Sequence, residues 1–212
     1  MDRPTVPHRR NTTLALGTVL AVGTVLLSSA TTAVAAQAQP ARTLAASGSP
    51  ADCAAGQVSS SAQTVLDDLS ALTQTTQSLQ APANQLNSAD PTSAMAVTNG
   101  LAGLANTAGQ DVTQMGQLQP FTDPCDAAAV AGAYQTFATV TQNLLDTLTD
   151  KAPTVTQPPS NGTPIAAALR SYESTSDSLG LELVNLTPSQ TQTSASAQQL
   201  DASFQTTITA YS

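Results

Sequence analysis

The sequence predicts an all-α, up-and-down bundle of about five amphipathic helices, closed by one disulfide. Three observations lead there. Apolar residues recur at alternating spacings of three and four along the chain after residue 51, and no stretch alternates convincingly with period two. Four of the segments that carry this spacing open on a capping residue followed by proline: Asp90-Pro91, Asp123-Pro124, Thr163-Pro164 and Thr187-Pro188. Such a cap satisfies free backbone N–H groups, and proline in the first turn gives up only a donor that has no partner there. The two cysteines, Cys53 and Cys125, lie near the starts of the first and third segments.

Residues 1–36 read as a secretory signal. Arg3, His8, Arg9 and Arg10 form a basic head, residues 14–27 an apolar centre, and Ala33-Val34-Ala35-Ala36 a small-residue cleavage site. Cleavage is expected after Ala35, Ala36 or Ala38. The alternative, an uncleaved anchor, is disfavoured because a bilayer span needs ~20 apolar residues. Residues 37–50 are rich in Ala, Ser, Gly and Pro and read as a flexible leader. Residues 51–212 form one helical domain, long enough to bury a core of Leu, Val and Ala.

The first helix is expected over 52–80, with Val58, Ala62, Val65, Leu69, Leu72, Thr76 and Leu79 as its seam and Pro82 ending it. The second opens at Asp90-Pro91 and carries Ala94, Val97, Leu101, Leu104, Ala108, Val112 and Met115. Gly100, Gly103 and Gly109 sit inside it at a cost of ~1 kcal/mol each relative to Ala. Close helix packing or room for a ligand chain would account for them. The third opens at Asp123-Pro124, runs along Val130, Tyr134, Phe137, Thr141, Leu144 and Leu148, and is closed by Pro153, with a loop over 151–162. The fourth, from Thr163-Pro164, carries Ile165, Leu169, Tyr172, Ser176, Leu179 and Leu183. The last, from Thr187-Pro188, carries Ala197, Leu200, Phe204, Ile208 and Tyr211. Short loops favour antiparallel neighbours. Helices one and three then start at the same end, within reach of a Cys53–Cys125 bridge. In an exported chain an isolated cysteine pair reads as one disulfide rather than two buried thiols.

The whole chain has a net charge of −8. Without the signal only Arg42, Lys151 and Arg170 remain against 13 of the 14 acids, a net charge of −10. That excludes nucleic acid and anionic membrane as partners, since both need clustered cations, and no stable membrane insertion is expected after cleavage. The surface is mostly Ser, Thr, Gln and Asn, solvated without depending on ion pairs.

Catalytic groups are scarce. The one histidine, His8, leaves with the signal, so no imidazole is left as general base. Two cysteines without further ligands make no zinc site, and neither a metal nor a cofactor is expected. Asp146 and Asp150 share a face near a helix end, and Asp67-Asp68, Asp123 and Asp126 are close in sequence; these read as ordinary helix surface and caps. The Asn161-Gly162-Thr163 and Asn185-Leu186-Thr187 triplets are each followed by proline, which disfavours glycan addition.

Several stretches resemble the hydrophobic surface-binding protein A family, which includes cell-wall galactomannoproteins. They are Pro124-Cys125-Asp126 followed by Ala127, Ala128, Ala129 and Val130; Tyr134-Gln135-Thr136-Phe137; Gln142-Asn143-Leu144-Leu145 with Lys151; Ile165 to Leu169-Arg170 with Tyr172-Glu173; and Phe204-Gln205-Thr206-Thr207-Ile208 to Tyr211-Ser212. Val65-Leu66-Asp67-Asp68-Leu69 agrees in style. The resemblance spans roughly residues 53–212. It implies a secreted, extracellular or cell-wall-associated, non-enzymatic helical domain. Its partners would be an apolar small molecule such as a fatty acid, a hydrophobic surface, and a secreted hydrolase assisted at that surface. The alternative is a structural or partner-binding module of the cell envelope. The candidates for lining an apolar ligand are Leu101, Leu104, Tyr134, Phe137, Leu144, Leu169, Tyr172, Leu179, Phe204 and Ile208. Tyr134 and Tyr172 offer hydroxyls, and Arg170 a cation, to a carboxylate head group.

Overall fold

The computed structural model describes residues 53, 58–157 and 162–212. The expected signal (1–36) and leader (37–50) lie outside the described residues. The described residues form five long helices and one short one: α1 (Ser60–Ser78), α2 (Gln80–Gln85), α3 (Pro91–Met115), α4 (Pro124–Val155), α5 (Gly162–Leu186) and α6 (Thr191–Ala210).

Two of the four cap-proline pairs start helices as expected. The Asp90 carboxylate accepts from the N–H groups of Thr92 and Ser93, and that of Asp123 accepts from Cys125 N–H. The other two differ. α5 already begins at Gly162, so Thr163 lies within its first turn. Thr187 closes α5 instead of opening α6: its N–H and its hydroxyl both donate to the Leu183 carbonyl, and α6 begins only at Thr191. A threonine hydroxyl can bond to the turn behind it as readily as to the turn ahead, and sequence does not tell the two apart. α1 starts at Ser60, capped by the Ser59 hydroxyl, rather than at residue 52. Pro82 does not end it. The chain turns at Leu79, and Pro82 lies inside α2. Pro153 sits inside α4, which runs on to Val155. So close to the helix end, the donor that Pro153 lacks is one of few lost.

Cys53 and Cys125 are joined, with Cα atoms 5.5 Å apart. Beside the bridge, the Ser59 N–H donates to Asp126 Oδ1 at 2.8 Å, and Asp126 is buried. At the far end Thr147 donates to the Gln80 side chain. α1 and α4 therefore run parallel. α6 runs with them, since Thr207 meets Thr149 and the Tyr211 hydroxyl donates to the Leu148 carbonyl at 3.0 Å. α3 and α5 run the other way. Consecutive long helices thus alternate in direction, yet the most extensive packing is between alternate ones: α3 with α5, α4 with α6, and α1 with α4. Two layers result, α1–α4–α6 and α3–α5, with the apolar core between them.

The glycines differ in what surrounds them. A Cβ on Gly100 would lie 2.2 Å from Leu79 Cδ2, so this glycine lets the α1–α2 corner sit against α3. A Cβ on Gly180 would come within 2.9 Å of the Tyr134 hydroxyl and 3.1 Å of Ala197 Cβ, where α4, α5 and α6 meet. Around Gly103 there is open space. Gly103→Ala is expected to stabilise the protein by about 0.5–1 kcal/mol through helix propensity. Gly180→Ala is expected to destabilise it by about 1 kcal/mol, because overpacking outweighs the same gain. Urea unfolding of the two variants measures both signs. Replacing Cys53 and Cys125 together by Ser is expected to lower stability by about 2–4 kcal/mol, since the bridge closes a long loop; the shift in unfolding midpoint reads it.

Candidate functional site

The ten candidate residues come from four helices: Leu101 and Leu104 from α3, Tyr134, Phe137 and Leu144 from α4, Leu169, Tyr172 and Leu179 from α5, and Phe204 and Ile208 from α6. All ten meet in one core. Nine are buried, and Ile208 is half-buried against the others. Tyr172 and Phe204 meet edge to face with ring centroids 5.1 Å apart, and Tyr134 and Phe137 lie 6.1 Å apart. Alternating spacings of three and four leave one stripe per helix, and the two layers close those stripes onto one another.

The two tyrosines expected to offer hydroxyls differ. The Tyr172 hydroxyl faces Thr141 Oγ1 at 3.5 Å, and burial pushes it up to about 12 against the opposing pull of Thr141 and Thr76. The Tyr134 hydroxyl is buried with no hydrogen-bond partner. Burial first, then the nearby Asp177 carboxylate, raises it far above the usual phenol range. Arg170 does not reach this core. It is exposed, and its guanidinium donates to Ser212 Oγ at 3.1 Å.

Among the described residues, clefts open beside α3 and at the seams of its neighbours, and four of them are lined by none of the ten candidates. One, of about 450 Å³, runs along the α1–α3 seam. Val65, Met115 and Leu118 form its apolar wall, Ser60, Ser61, Thr64, Gln114 and Gln117 its polar rim, and Asp68 one end. Asp111 lies next to that end. It stands one turn before Gln114 and Met115 on α3, and it is only 5% exposed. Oδ2 of Asp68 and Oδ2 of Asp111 are both buried and without a hydrogen-bond partner. Burial, then the Asp68 charge, pushes the Asp111 carboxyl up to about 6. Burial, then Asp67, also raises Asp68.

Sequence reasoning named Asp68 but passed over Asp111. The signal was present. The α3 seam reads Val97, Leu101, Leu104, Ala108, Asp111, Met115, with spacings of 4, 3, 4, 3 and 4. The aspartate stands on the buried stripe, and Val112, assigned to it from hydrophobicity, is half-buried beside it. Among the described residues no group of three or more His, Cys, Asp or Glu is placed to hold a metal ion, and no helix is long and apolar enough to cross a membrane.

The raised carboxyls set a direction for the pH dependence of stability. Between about pH 4 and pH 6 the folded chain keeps the Asp111 proton that the unfolded chain, at 3.8, has lost. Stability therefore falls as pH rises through that window. Asp68, Glu173 and Asp177, all raised first of all by burial, act in the same direction. Allowing for solvent screening, Asp111 accounts for about 1–2 kcal/mol. The urea midpoint is expected to be higher near pH 4.5 than at pH 7, and Asp111→Asn is expected to flatten much of that difference.

Comparison with known proteins places this arrangement. Among solved structures, the chain is similar to that of Afmp4p in complex with palmitic acid. The TM-score is 0.65 at 21% sequence identity, with 71% of this chain and 99% of that chain covered. At that identity the likeness carries the fold. No curated protein sequence matches. The family model of hydrophobic surface binding protein A matches residues 62–185, from the first turn of α1 to the last of α5. That stretch is more than half of the sequence, and the chain belongs to the hydrophobic surface binding protein A family.

Proposed function

We propose that this is a secreted, non-enzymatic protein that takes up a long-chain fatty acid, or a comparable apolar chain, among α3, α4, α5 and α6. One observation carries the reading: the Tyr134 hydroxyl is buried among the ten candidate residues and has no partner. An unpaired buried hydroxyl is unfavourable by about 1–3 kcal/mol, and an acceptor arriving with a ligand would remove that cost. Family membership and the palmitic acid complex of the similar fold support the same chemistry. The ten residues are packed against one another, so uptake requires the helices to part. Each methylene then transferred from water gains ~0.8 kcal/mol.

Adsorption to an apolar solid would use the same opening. Among the described residues the large exposed apolar side chains are Met95 and Leu181. They sit at opposite ends of the α3–α5 layer, so the closed bundle presents little apolar surface there. A hydrolase working at such a surface is the expected beneficiary of adsorption.

The test is direct binding of a fluorescent fatty acid, with mass spectrometry of lipids extracted from the purified protein. Binding is expected, with Tyr134→Phe weakening it about tenfold while the protein stays folded. Phe keeps the ring and removes only the hydroxyl. No bound acyl chain, no uptake of the probe and no adsorption to hydrophobic beads would sink the proposal.

A further inference from the structure

The cleft between α1 and α3 is lined by none of the ten candidates and asks for a different ligand. We propose that it binds a primary alkylammonium ion, its nitrogen held between the carboxylates of Asp68 and Asp111 and its alkyl chain lying along Val65, Met115 and Leu118.

The cleft volume of about 450 Å³ falls within the range of small-molecule sites, ~300–1,000 Å³. Asp68 lines its inner end and Asp111 stands next to it; Oδ2 of each is buried without a partner, and the Asp111 side chain is 95% buried. An ionised carboxylate only accepts hydrogen bonds, so both oxygens call for a donor. Among the described residues none is supplied: α1 and α3 contain no Lys, Arg or His, and Arg170 on α5 is exposed and engaged with Ser212. A primary ammonium brings three donors and the charge that two facing carboxylates lack, and such charge-assisted bonds are among the stronger ones. The three apolar side chains beyond Asp68 suit a carbon chain, which a bare metal ion would not use. Two carboxylates are also few for a divalent cation, which takes six or more oxygens. The net charge of −8 draws cations toward the surface.

The experiment titrates hexylamine, 1-hexanol, hexyltrimethylammonium and calcium into the purified protein well above pH 6, where Asp111 is ionised. The methyl resonances of Val65, Met115 and Leu118 report binding. Hexylamine is expected to shift them and to bind about tenfold or more tightly than hexanol or hexyltrimethylammonium, which lack the charge or the N–H donors. Asp111→Asn and Asp68→Asn are each expected to weaken hexylamine about tenfold. Both variants remove like-charge repulsion, and circular dichroism confirms that they remain folded. The less buried Asp68 provides the second readout should Asp111→Asn unfold. Equal binding of hexanol would reduce the cleft to an apolar groove. Shifts with calcium alone would make it a metal site, and no shift with any ligand would mean that the two carboxyls simply share a proton. Each of these outcomes overturns the proposal. It does not depend on the fatty-acid reading, because none of the residues observed here is among the ten candidates for that ligand.

Discussion

The bundle depends on how the start of α4 is held. Cys125 is tied covalently to Cys53, and one residue on, the buried Asp126 carboxylate takes the N–H of Ser59, the residue that caps α1. The same turn thus fixes where α1 begins and which way it runs. A parallel pair of helices needs such a constraint more than a hairpin does, because no short loop sets its register. Once α1 and α4 are aligned, α4 is the middle of one layer, with α1 on one side and α6 on the other, and α3 and α5 close over the stripes that this layer presents. The far end is secured by weaker means, with Thr147 on the Gln80 side chain and Tyr211 on the Leu148 carbonyl.

The polar surface follows from the shortage of charge. Threonine and serine hydroxyls along every long helix donate to a carbonyl one turn back, as Thr73 does to Leu69, Thr98 to Ala94, Thr139 to Gln135, Ser178 to Ser174 and Thr206 to Ala202. Each of these hydroxyls finds an acceptor on its own helix, and its oxygen keeps its lone pairs for other donors. A surface satisfied in this way loses little when salt is added, since screening acts on charges. The helices gain no propensity from these residues, so their stability rests on the buried stripes and on the bridge.

The stripes were legible in the sequence because alternating spacings of three and four persist through Leu, Val and Ala with few interruptions. All ten candidate residues accordingly fall in the core. Two kinds of feature were not legible. The first is which side of a cap a polar residue serves: Thr187-Pro188 and Asp123-Pro124 look alike, yet one closes a helix and the other opens one. The second is a polar residue in a stripe position. Reading apolar residues alone passes from Ala108 to Val112 and misses Asp111, although the seam continues through it. The order of packing was also hidden. Loop lengths give alternation of direction, but they do not say that α3 packs more fully on α5 than on α4.

The buried oxygens without partners mark two places where the fold is not at its most stable, and they fall at two of its seams. Asp68 and Asp111 face the α1–α3 seam, and Tyr134 faces Gly180 between α4 and α5. Both pairs of helices touch far less than α3 with α5 or α4 with α6. The well-packed α4–α6 seam, by contrast, carries the Thr149–Thr207 pair and the Tyr211 bond, all satisfied. An unpaired group lowers the cost of opening the seam that contains it, because parting the helices returns that group to water. A bundle that has to part to admit an apolar chain gains from having the deficit there. Replacing the unpaired hydroxyl at Tyr134 by an apolar group that packs as well would be expected to stabilise the closed form and slow uptake together.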